Sequence, residues 1–436
     1  MQKVAFYLNN SSLSGRDYTS ILDGNPGVGG SEYEFMLVPF LLQDRKNNII
    51  PYLITNCEAI FPHKNTVLIK NLYECCDYCV HNGIDEVVVD IKHFDKNVLD
   101  IFAGKLNIII WAHNNVPYSR LKLFWKLDYI KKIVNCGREE LELYRDHITT
   151  LKSTYIYNIF PFKNKQYYSS RIDCGNNHNV VYMGSLVETK GFHVLAKAWK
   201  NILRVVPDAQ LYVIGSGRLY NQKAKLGKYG IAEKKYEDLF MRNLLDTDGN
   251  ILESVHFLGL LGIEKYEIMG KCKVAVPNPT GFSECLPITS IEMQLMGCNI
   301  VTIEHPAYLD TVKNKKYLYE RTSMLAEYVA SRLTSDRDDI NELYDFVSSR
   351  FGIESNIQRW EHLILNINEP SVEVISEFDY QHKKVKDALL KYKINHRWSN
   401  NLPCIEQWYL LLQKINGKFH QVYDLLIRHY YSIFKR

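Results

Sequence analysis

Short apolar runs recur along this chain between longer segments of helical period. In the first half they are VAFYL near residue 4, IIPYLIT from Ile49, EVVVDI from Glu86, NIIIWAH from Asn107 and KIVNC from Lys132. Strands that are apolar on both faces and alternate with helices indicate a parallel sheet covered on both sides. The pattern stops in the polar stretch 161–179 and then resumes with VVYMGS, AQLYVIGSG, SVHFLG, CKVAVPNP and CNIVTI. The sequence therefore predicts two doubly wound α/β domains, which 436 residues are enough to build with a cleft between them.

The predicted boundaries follow these pattern changes. We expect an N-terminal domain over residues 1–165, a C-terminal domain over 178–350, and a helix over 351–370 that crosses back to the N-terminal domain. After Pro370 the sheet pattern does not return, and apolar and basic residues at helical spacing predict an amphipathic, basic helical extension over 371–436. Residues 408–436 could contact an anionic membrane surface, pack on the first domain or pair with another subunit.

Charge and composition exclude several classes of protein. The net charge of +4 is too small to indicate a nucleic acid partner. No secretory signal and no stretch long enough to span a bilayer is apparent, so we expect a cytoplasmic protein. Most cysteines stand singly in apolar runs, which favours reduced, buried thiols. The one cluster, Cys75, Cys76 and Cys79 near His81, has no second ligand pair at zinc spacing, so we predict no metal site.

A glycine-rich segment, GNPGVGGSE, lies between the first strand and the first helical run. Glycines such as Gly29 and Gly30 let a backbone approach an anion, and the amides and dipole of a helix start favour a phosphate. The glycine spacing matches neither the dinucleotide fingerprint nor a Walker loop. A diphosphate site and a flexible surface turn both fit this segment.

The segment PNPTGFSECLPITSIEMQLMG, residues 277–297, places two glutamates near the end of a strand. Glu284 follows the strand KVAVP, and Glu292 lies in the helix that we expect to begin with Pro287 in its first turn and to end at Gly297. Ligands of open α/β sheets bind at the carboxyl ends of strands, where the amides of Leu286 and Ile288 could donate. Carboxylates there suit sugar or ribose hydroxyls, although helix-terminal or solvent-facing acids fit the spacing equally well.

Two further residues follow strands. Lys190 comes after VVYMGS and just before a helix, where a cation opposes the helix dipole, so a phosphate partner or a solvated surface position would explain it. His113 ends the strand NIIIWAH, where it could contact a sugar hydroxyl or move a proton. A packed or capping histidine is the alternative.

In their order along the chain, these four segments resemble the family-4 retaining glycosyltransferases of the GT-B fold, also called glycosyl transferases group 1. The likeness covers roughly residues 1–365, and its most specific element is the spacing of Glu284 and Glu292. It implies two Rossmann-like domains, an acceptor-side N-terminal one and a C-terminal one that holds a nucleotide-sugar donor. The resemblance further implies catalytic roles for Glu284, His113 and Lys190. The donor-binding residues that it implies are Gly29, Gly30, Ser185, Lys190, Leu286, Pro287, Ile288 and Glu292.

In that family the glycine loop lies near the donor diphosphate, the lysine neutralises it, and the second glutamate holds the ribose. The first glutamate and the following amides bind the donor sugar, and the histidine contacts that sugar from the facing domain. The implied activity is a metal-independent, retaining hexosyl transfer from a nucleotide-sugar, with UDP-sugars favoured, to a glycan or lipid-linked acceptor in bacterial surface polysaccharide or glycolipid biosynthesis. The resemblance implies no cofactor, since the nucleotide-sugar is a substrate. The enzyme would be cytoplasmic or peripheral on the inner face of the membrane.

One position departs from the family pattern. The family usually has an arginine five residues before the lysine, and here Ser185 stands in its place. A diphosphate would lose a bidentate donor, so either another basic residue such as Lys152 or Arg218 substitutes, or donor binding is altered. Two alternatives stay open beside the transferase, one because it shares the fold and the other because of Ser185. They are a sugar-nucleotide epimerase of the same fold and a non-catalytic nucleotide-sugar-binding or scaffold protein.

Overall fold

Two parallel sheets, each with helices on both faces, dominate the structure and confirm the predicted fold class. The computed structural model describes residues 1–46, 48–173, 175, 177–218, 223–369, 371, 383–396 and 402–408. Most of the predicted extension, including 409–436, therefore lies outside the described residues. Among the described helices, none combines the length and the apolar character needed to cross a bilayer.

The first sheet has seven parallel strands in the order β3-β2-β1-β4-β5-β6-β7. Their bounds are β1 Gln2–Leu8, β2 Ile49–Thr55, β3 Thr66–Leu68, β4 Glu86–Asp90, β5 Asn107–Ala112, β6 Ile130–Asn135 and β7 Ser153–Tyr155. Four inner strands, β1, β4, β5 and β6, are buried over nearly their whole length, as the apolar runs within them predict. The strand order changes direction between β1 and β4, which opens a crevice beyond their carboxyl ends.

The second sheet has five parallel strands in the order β10-β9-β8-β11-β12. Their bounds are β8 Asn179–Met183, β9 Gln210–Ile214, β10 Val255–Gly259, β11 Val274–Ala275 and β12 Asn299–Ile300. The run CNIVTI, predicted as one strand, divides into β12 and β13 Thr302–Ile303, and β13 pairs instead with β14 Leu318–Tyr319. Here the order changes direction between β8 and β11, which gives the second domain its own crevice.

Helices cover both sheets and join the two domains. Their bounds are α1 Gly30–Leu42, α2 Leu72–His81, α3 Lys96–Ile101, α4 Tyr118–Lys126, α5 Arg138–Glu142, α6 Lys165–Ser169, α7 Phe192–Val205, α8 Lys234–Met241, α9 Lys265–Gly270, α10 Ile288–Leu295, α11 Pro306–Thr311, α12 Leu325–Thr334, α13 Ile340–Phe351, α14 Ile353–Leu365 and α15 Lys383–Asn395. Pro287 was expected inside the first turn of α10, and this is wrong by one residue. It is the N-cap, because its ψ of 98° is extended rather than helical.

The chain returns to the first domain after completing the second. Trp360 of α14 is fully buried, with its ring centroid 5.8 Å from that of Phe6 in β1 and 4.6 Å from that of Trp111 in β5. The side chain of Gln2 donates to the carbonyl of Ile364 at 2.7 Å. The helix α14 therefore forms part of the core of the N-terminal domain.

The described part of the extension also lies on the first domain. The Lys393 ammonium donates to the main-chain carbonyl of Asp146 at 2.8 Å and lies 3.6 Å from its carboxylate, with both side chains buried. Asp387 accepts from Arg145 at 2.6 Å, and Cys404 is buried in the core beneath the first sheet. Because the polar contacts converge on residues 145 and 146, the extension packs against the segment that follows α5.

Candidate functional site

The second domain brings two of the predicted catalytic residues together. Lys190 follows β8 and Glu284 follows β11, so both leave the sheet at the point where its strand order changes direction. The Lys190 ammonium donates to Glu284 Oε1 at 2.6 Å, and the Asn278 amide donates to the same oxygen at 3.0 Å. Their side chains are 19% and 11% exposed. The pair is therefore held in place but still reachable from the crevice.

The backbone around this pair is tightly constrained. Gly191 has a φ of +69°, and a Cβ there would come within 2.8 Å of the side chains of Asn278 and Thr280. Ser283 adopts a φ of +59°, which is uncommon for a residue other than glycine. Such conformations persist where the surroundings enforce them, often at functional sites. Loop geometry thus fixes Glu284 against Lys190.

The remaining residues of segment 277–297 form the start of α10. Leu286 and Pro287 are buried and Ile288 is half-buried. Pro287 has no N–H, so the donors of this helix start are the amides around it. Glu292 Oε1 accepts from the Lys265 ammonium at 2.5 Å and from the Tyr266 hydroxyl at 2.9 Å. Burial and the Glu292 charge raise the pKa of Tyr266, so its hydroxyl stays protonated and donates.

The first domain presents its predicted residues at its own crevice. Gly29 is the N-cap of α1 and Gly30 its first residue, and a Cβ at Gly30 would meet no atom within 4 Å. His113 follows β5, and its Nδ1 lies 3.5 Å from Asp90 Oδ2 at the end of β4. Its side chain is only 7% exposed, and Nε2 on the far side of the ring has no hydrogen-bond partner within the described structure. Burial raises the Asp90 pKa, but His113 and Lys92 outweigh it, and the pKa is lowered overall.

Contacts between the domains bring the two crevices face to face. A Cβ at Gly137, before α5, would lie 3.5 Å from the carbonyl oxygen of Cys285. Burial raises the pKa of Tyr33 in the first turn of α1, and the charges of Glu34 and Glu292 add to this shift. The start of α5 in the first domain therefore lies against the loop that precedes α10 in the second.

The two residues suggested as substitutes for the family arginine have different outcomes. Lys152 donates to the carbonyls of Phe124, Trp125 and Leu127 at 3.0–3.3 Å, at the end of α4 in the first domain. This contradicts Lys152 as a substitute, because the ammonium serves as a helix C-cap. Arg218 lies two residues after Ser216, whose carbonyl accepts from the Ser185 hydroxyl at 3.4 Å. Arg218 therefore stays a candidate, while Ser185 itself is 1% exposed.

Sequence reasoning did not identify several residues that complete this arrangement. They are Asp90, Lys92, Lys265, Tyr266 and Asn278. Asp90 had a detectable signal, since it ends the apolar run EVVVD just as His113 ends NIIIWAH. Lys265 and Tyr266 begin a short helix, and nothing in their local sequence indicates a contact with Glu292.

Comparison with known proteins agrees with this geometry. Residues 174–344 match the family model described as glycosyl transferases group 1. The chain is 22% identical over 389 residues to an uncharacterized glycosyltransferase of Haemophilus influenzae, and the match covers 84% of this chain and all of the relative. These matches support a glycosyltransferase function.

Solved structures extend the likeness to both domains. HepE of Anabaena in complex with UDP superposes with a TM-score of 0.57 at 14% identity, over 84% of this chain and 100% of that one. Sucrose-phosphate synthase of Thermosynechococcus elongatus superposes with a TM-score of 0.56 at 12% identity, over 84% and 99%. At such low identity these neighbours show the fold, which is that of the GT-B glycosyltransferases.

Proposed function

We propose that the chain is a retaining glycosyltransferase that moves a sugar from a UDP-sugar to a glycan or lipid-linked acceptor, without a metal ion. The observation that carries the proposal is the Lys190–Glu284 pair in the crevice of the second domain, beside the start of α10. Positive charge and free amides at that point suit a diphosphate, and a carboxylate suits sugar hydroxyls. The domain that holds the pair is also the one that matches the group 1 family model.

In the proposed reaction, the bond from the anomeric carbon to the diphosphate oxygen breaks before the acceptor hydroxyl attacks from the same face. The acceptor proton passes to the departing diphosphate oxygen. Lys190 has three N–H donors, so it can contact the diphosphate while it still binds Glu284. Preorganised charge of this kind is worth several kcal/mol in a closed site, which supports catalysis without a divalent ion.

The other predicted residues position the donor in this proposal. Glu284 accepts from hydroxyls of the donor sugar, and His113 approaches that sugar from the facing domain through its unpartnered Nε2. Glu292 accepts from the ribose hydroxyls. These hydroxyls replace the Lys265 or Tyr266 donor that Glu292 binds in the structure. Gly29 and Gly30 let the start of α1 approach the diphosphate. The resemblance to the retaining family, whose most specific element is the spacing of the two glutamates, supports the assignment of these roles and of retention.

Donor binding is the first test. The purified chain is heated with UDP, GDP, ADP and CMP sugars in EDTA, and the same series is run on Glu292→Gln and on the exposed control Glu304→Gln. A ligand at 100 times its Kd adds about 2.7 kcal/mol of stability. We expect UDP-sugars to stabilise the wild type and the control, and Glu292→Gln to lose most of that shift. No shift with any nucleotide would refute the donor assignment.

Transfer is tested separately from binding. Glu284→Gln should still bind UDP but lose activity, because the side chain keeps its size and loses the charge that orients the sugar. NMR of the product reports the anomeric configuration, and inversion would refute retention. UDP release with a sugar inverted at C2 would favour the epimerase. Donor binding without transfer to any acceptor of a broad panel would favour a non-catalytic scaffold protein. The uncharged Ser185 is the reason for considering this alternative.

We also propose a cytoplasmic site of action in bacterial surface polysaccharide or glycolipid biosynthesis, with residues 408–436 on the inner membrane face. The described cysteines are all free and buried, which suits a reducing compartment. Sedimentation with vesicles of anionic and of zwitterionic lipid tests the membrane contact. Salt-sensitive binding to the anionic vesicles alone is expected, and equal or no binding to both would contradict it.

A further inference from the structure

The crevice of the first domain holds a lysine that the family resemblance leaves without a role. Lys92 lies two residues beyond β4, beside the point where the strand order changes direction. Its ammonium donates to Glu32 Oε1 at 2.7 Å and to Ser31 Oγ at 3.1 Å, and it lies 3.8 Å from Asp90 Oδ2. The side chain is 36% exposed. A cation therefore stands at the start of α1, within reach of the cleft.

The carboxylate of Glu32 occupies the anion position of that helix start. A Cβ at Gly29 would lie 2.1 Å from Glu32 Oε2, so the carboxylate folds back over the N-cap. The Ser31 hydroxyl donates to the same oxygen at 3.0 Å, and the Asn10 amide donates to Oε1 at 3.2 Å. A helix start with its partial positive charge favours an anion at this place. Here a side chain of the protein supplies that anion.

A second observation points to a ligand at the same edge. The His113 ring is buried beside Asp90, and its centroid lies 5.9 Å from that of Phe35 in α1, with the two rings tilted by 47°. Its Nε2 has no hydrogen-bond partner in the described structure. Buried polar atoms in native proteins are nearly always partnered, and an exception calls for a missing partner. A polar ligand in this crevice would supply it.

The described part of the second domain places one cation, Lys190, beside Glu284, while Ser185 leaves the usual arginine position uncharged and buried. Arg218 stays a candidate for the second positive charge there, and Lys152 of the first domain is excluded because it is bound to carbonyls at the end of α4. We propose that Lys92 supplies, from the first domain, the second positive charge on the donor diphosphate. In this proposal Glu32 holds the ammonium in place until the diphosphate replaces its carboxylate. The inference rests on the proposed function, because it takes the ligand to be a nucleoside diphosphate sugar.

In this arrangement, a bound donor would hold the two domains together. Lys190 and Lys92 belong to different domains, so a diphosphate that binds both ammonium groups bridges the cleft. The exchange replaces one anion by another at the same helix start, which avoids leaving Lys92 with an unbalanced charge. Removing Lys92 should therefore weaken diphosphate binding, whereas neutralising Glu32 should strengthen it. A purely structural Lys92–Glu32 pair would behave differently, since both changes would then be harmful.

The test compares UDP with UMP by isothermal titration. For Lys92→Met we expect the Kd of UDP to rise roughly tenfold or more, as for the loss of one charge-assisted hydrogen bond. The Kd of UMP should stay within about threefold of the wild-type value, because UMP does not touch Lys92. Lys92→Arg should recover most of the UDP affinity. The matched control is Lys64→Met, which removes an exposed lysine paired with a carboxylate on the same domain.

Glu32→Gln gives a prediction of opposite sign. It should lower the Kd of UDP about two- to fivefold, the strength of one partly exposed ion pair. A Kd raised tenfold in Glu32→Gln would overturn the proposal, as would equal losses for UDP and UMP in Lys92→Met. A selective UDP loss in Arg218→Met but not in Lys92→Met would overturn it in favour of Arg218. If UDP does not bind the wild type, the proposed donor class is refuted. If UDP binds the wild type and Lys92→Met equally well, only the role of Lys92 is refuted.

Discussion

Asp310 joins the two domains through a buried carboxylate, and its titration should make the free energy of unfolding depend on pH. Asp310 lies in α11 of the second domain, and its Oδ2 accepts from the amide of Glu139 at the start of α5 at 2.9 Å. Its Oδ1 accepts from the Tyr157 hydroxyl at 2.8 Å. Burial and the nearby Glu139 charge raise its pKa from 3.8 to about 6, against these hydrogen bonds and Arg138. Buried Glu140, whose own pKa is raised well above its usual value, faces the same contact.

The sign of the effect follows from this raised pKa. The native state holds the proton more tightly than the unfolded chain, so the contribution of Asp310 to stability is complete below pH 3.8 and is lost as the pH rises through 6. The difference of about two pKa units corresponds to about 3 kcal/mol, and roughly half of it falls between pH 5 and 7.5. Asp310→Asn resembles the protonated acid, because its carbonyl accepts from Glu139 and its amide donates to the Tyr157 oxygen. We therefore expect the variant to be more stable than the wild type at pH 7.5 and to lose that advantage towards pH 5.

Urea unfolding followed by tryptophan fluorescence at pH 5, 6 and 7.5 measures this difference, since urea leaves charges unscreened. The exposed surface residue Asp248 provides the control Asp248→Asn, whose difference from the wild type should not change with pH. If the difference between Asp310→Asn and the wild type is constant from pH 5 to 7.5, or grows towards low pH, the reasoning about this contact is wrong.

Three further substitutions test other parts of the structure. Gly191→Ala should lower the free energy of unfolding by about 1–3 kcal/mol and weaken UDP binding, because its φ is +69° and the loop before α10 leaves no room for a Cβ. The control Gly230→Ala has a φ of +71° in open space, so it should lose less stability and bind UDP normally. Thermal unfolding and titration with UDP compare the two variants. Trp360→Ala should cost about 3–5 kcal/mol in urea unfolding, since it empties a fully buried site between α14 and the first sheet, and a loss below 1 kcal/mol would contradict that packing. Lys393→Met should cost about 3–5 kcal/mol, because it leaves the buried Asp146 carboxylate without its cation, and adding Asp146→Leu should recover part of this loss if the ion pair is the cause.

Much of the fold could be predicted because its central strands are apolar on both faces. VAFYL and NIIIWAH each correspond to a strand within one or two residues. The edge strands β3 and β7 were missed, since three-residue strands with partly exposed side chains carry no such pattern. The division of CNIVTI was also missed, because the pairing of β13 with β14 is a long-range contact that local apolar character does not encode.

The site was predictable where a residue directly follows a strand. Lys190, Glu284 and His113 were found in this way, and the structure brings the first two into contact. Lys92 was missed because a lysine after a strand usually indicates a solvated surface, and its partner Glu32 lies 60 residues earlier. Asp310 has no local signal either, since its burial arises only when α11 packs against α5 of the other domain. The roles of all these residues in donor binding and transfer stay predictions.

The return of α14 to the first sheet also sets an order for folding during synthesis. The second domain is continuous in sequence, so its core can close soon after residue 351 leaves the ribosome. The first domain is synthesised earlier, but the face that contains Phe6 and Trp111 waits for Trp360 to cover it. The half of the chain that is made first would therefore be completed last, and its apolar face would stay uncovered for as long as the second domain is being made.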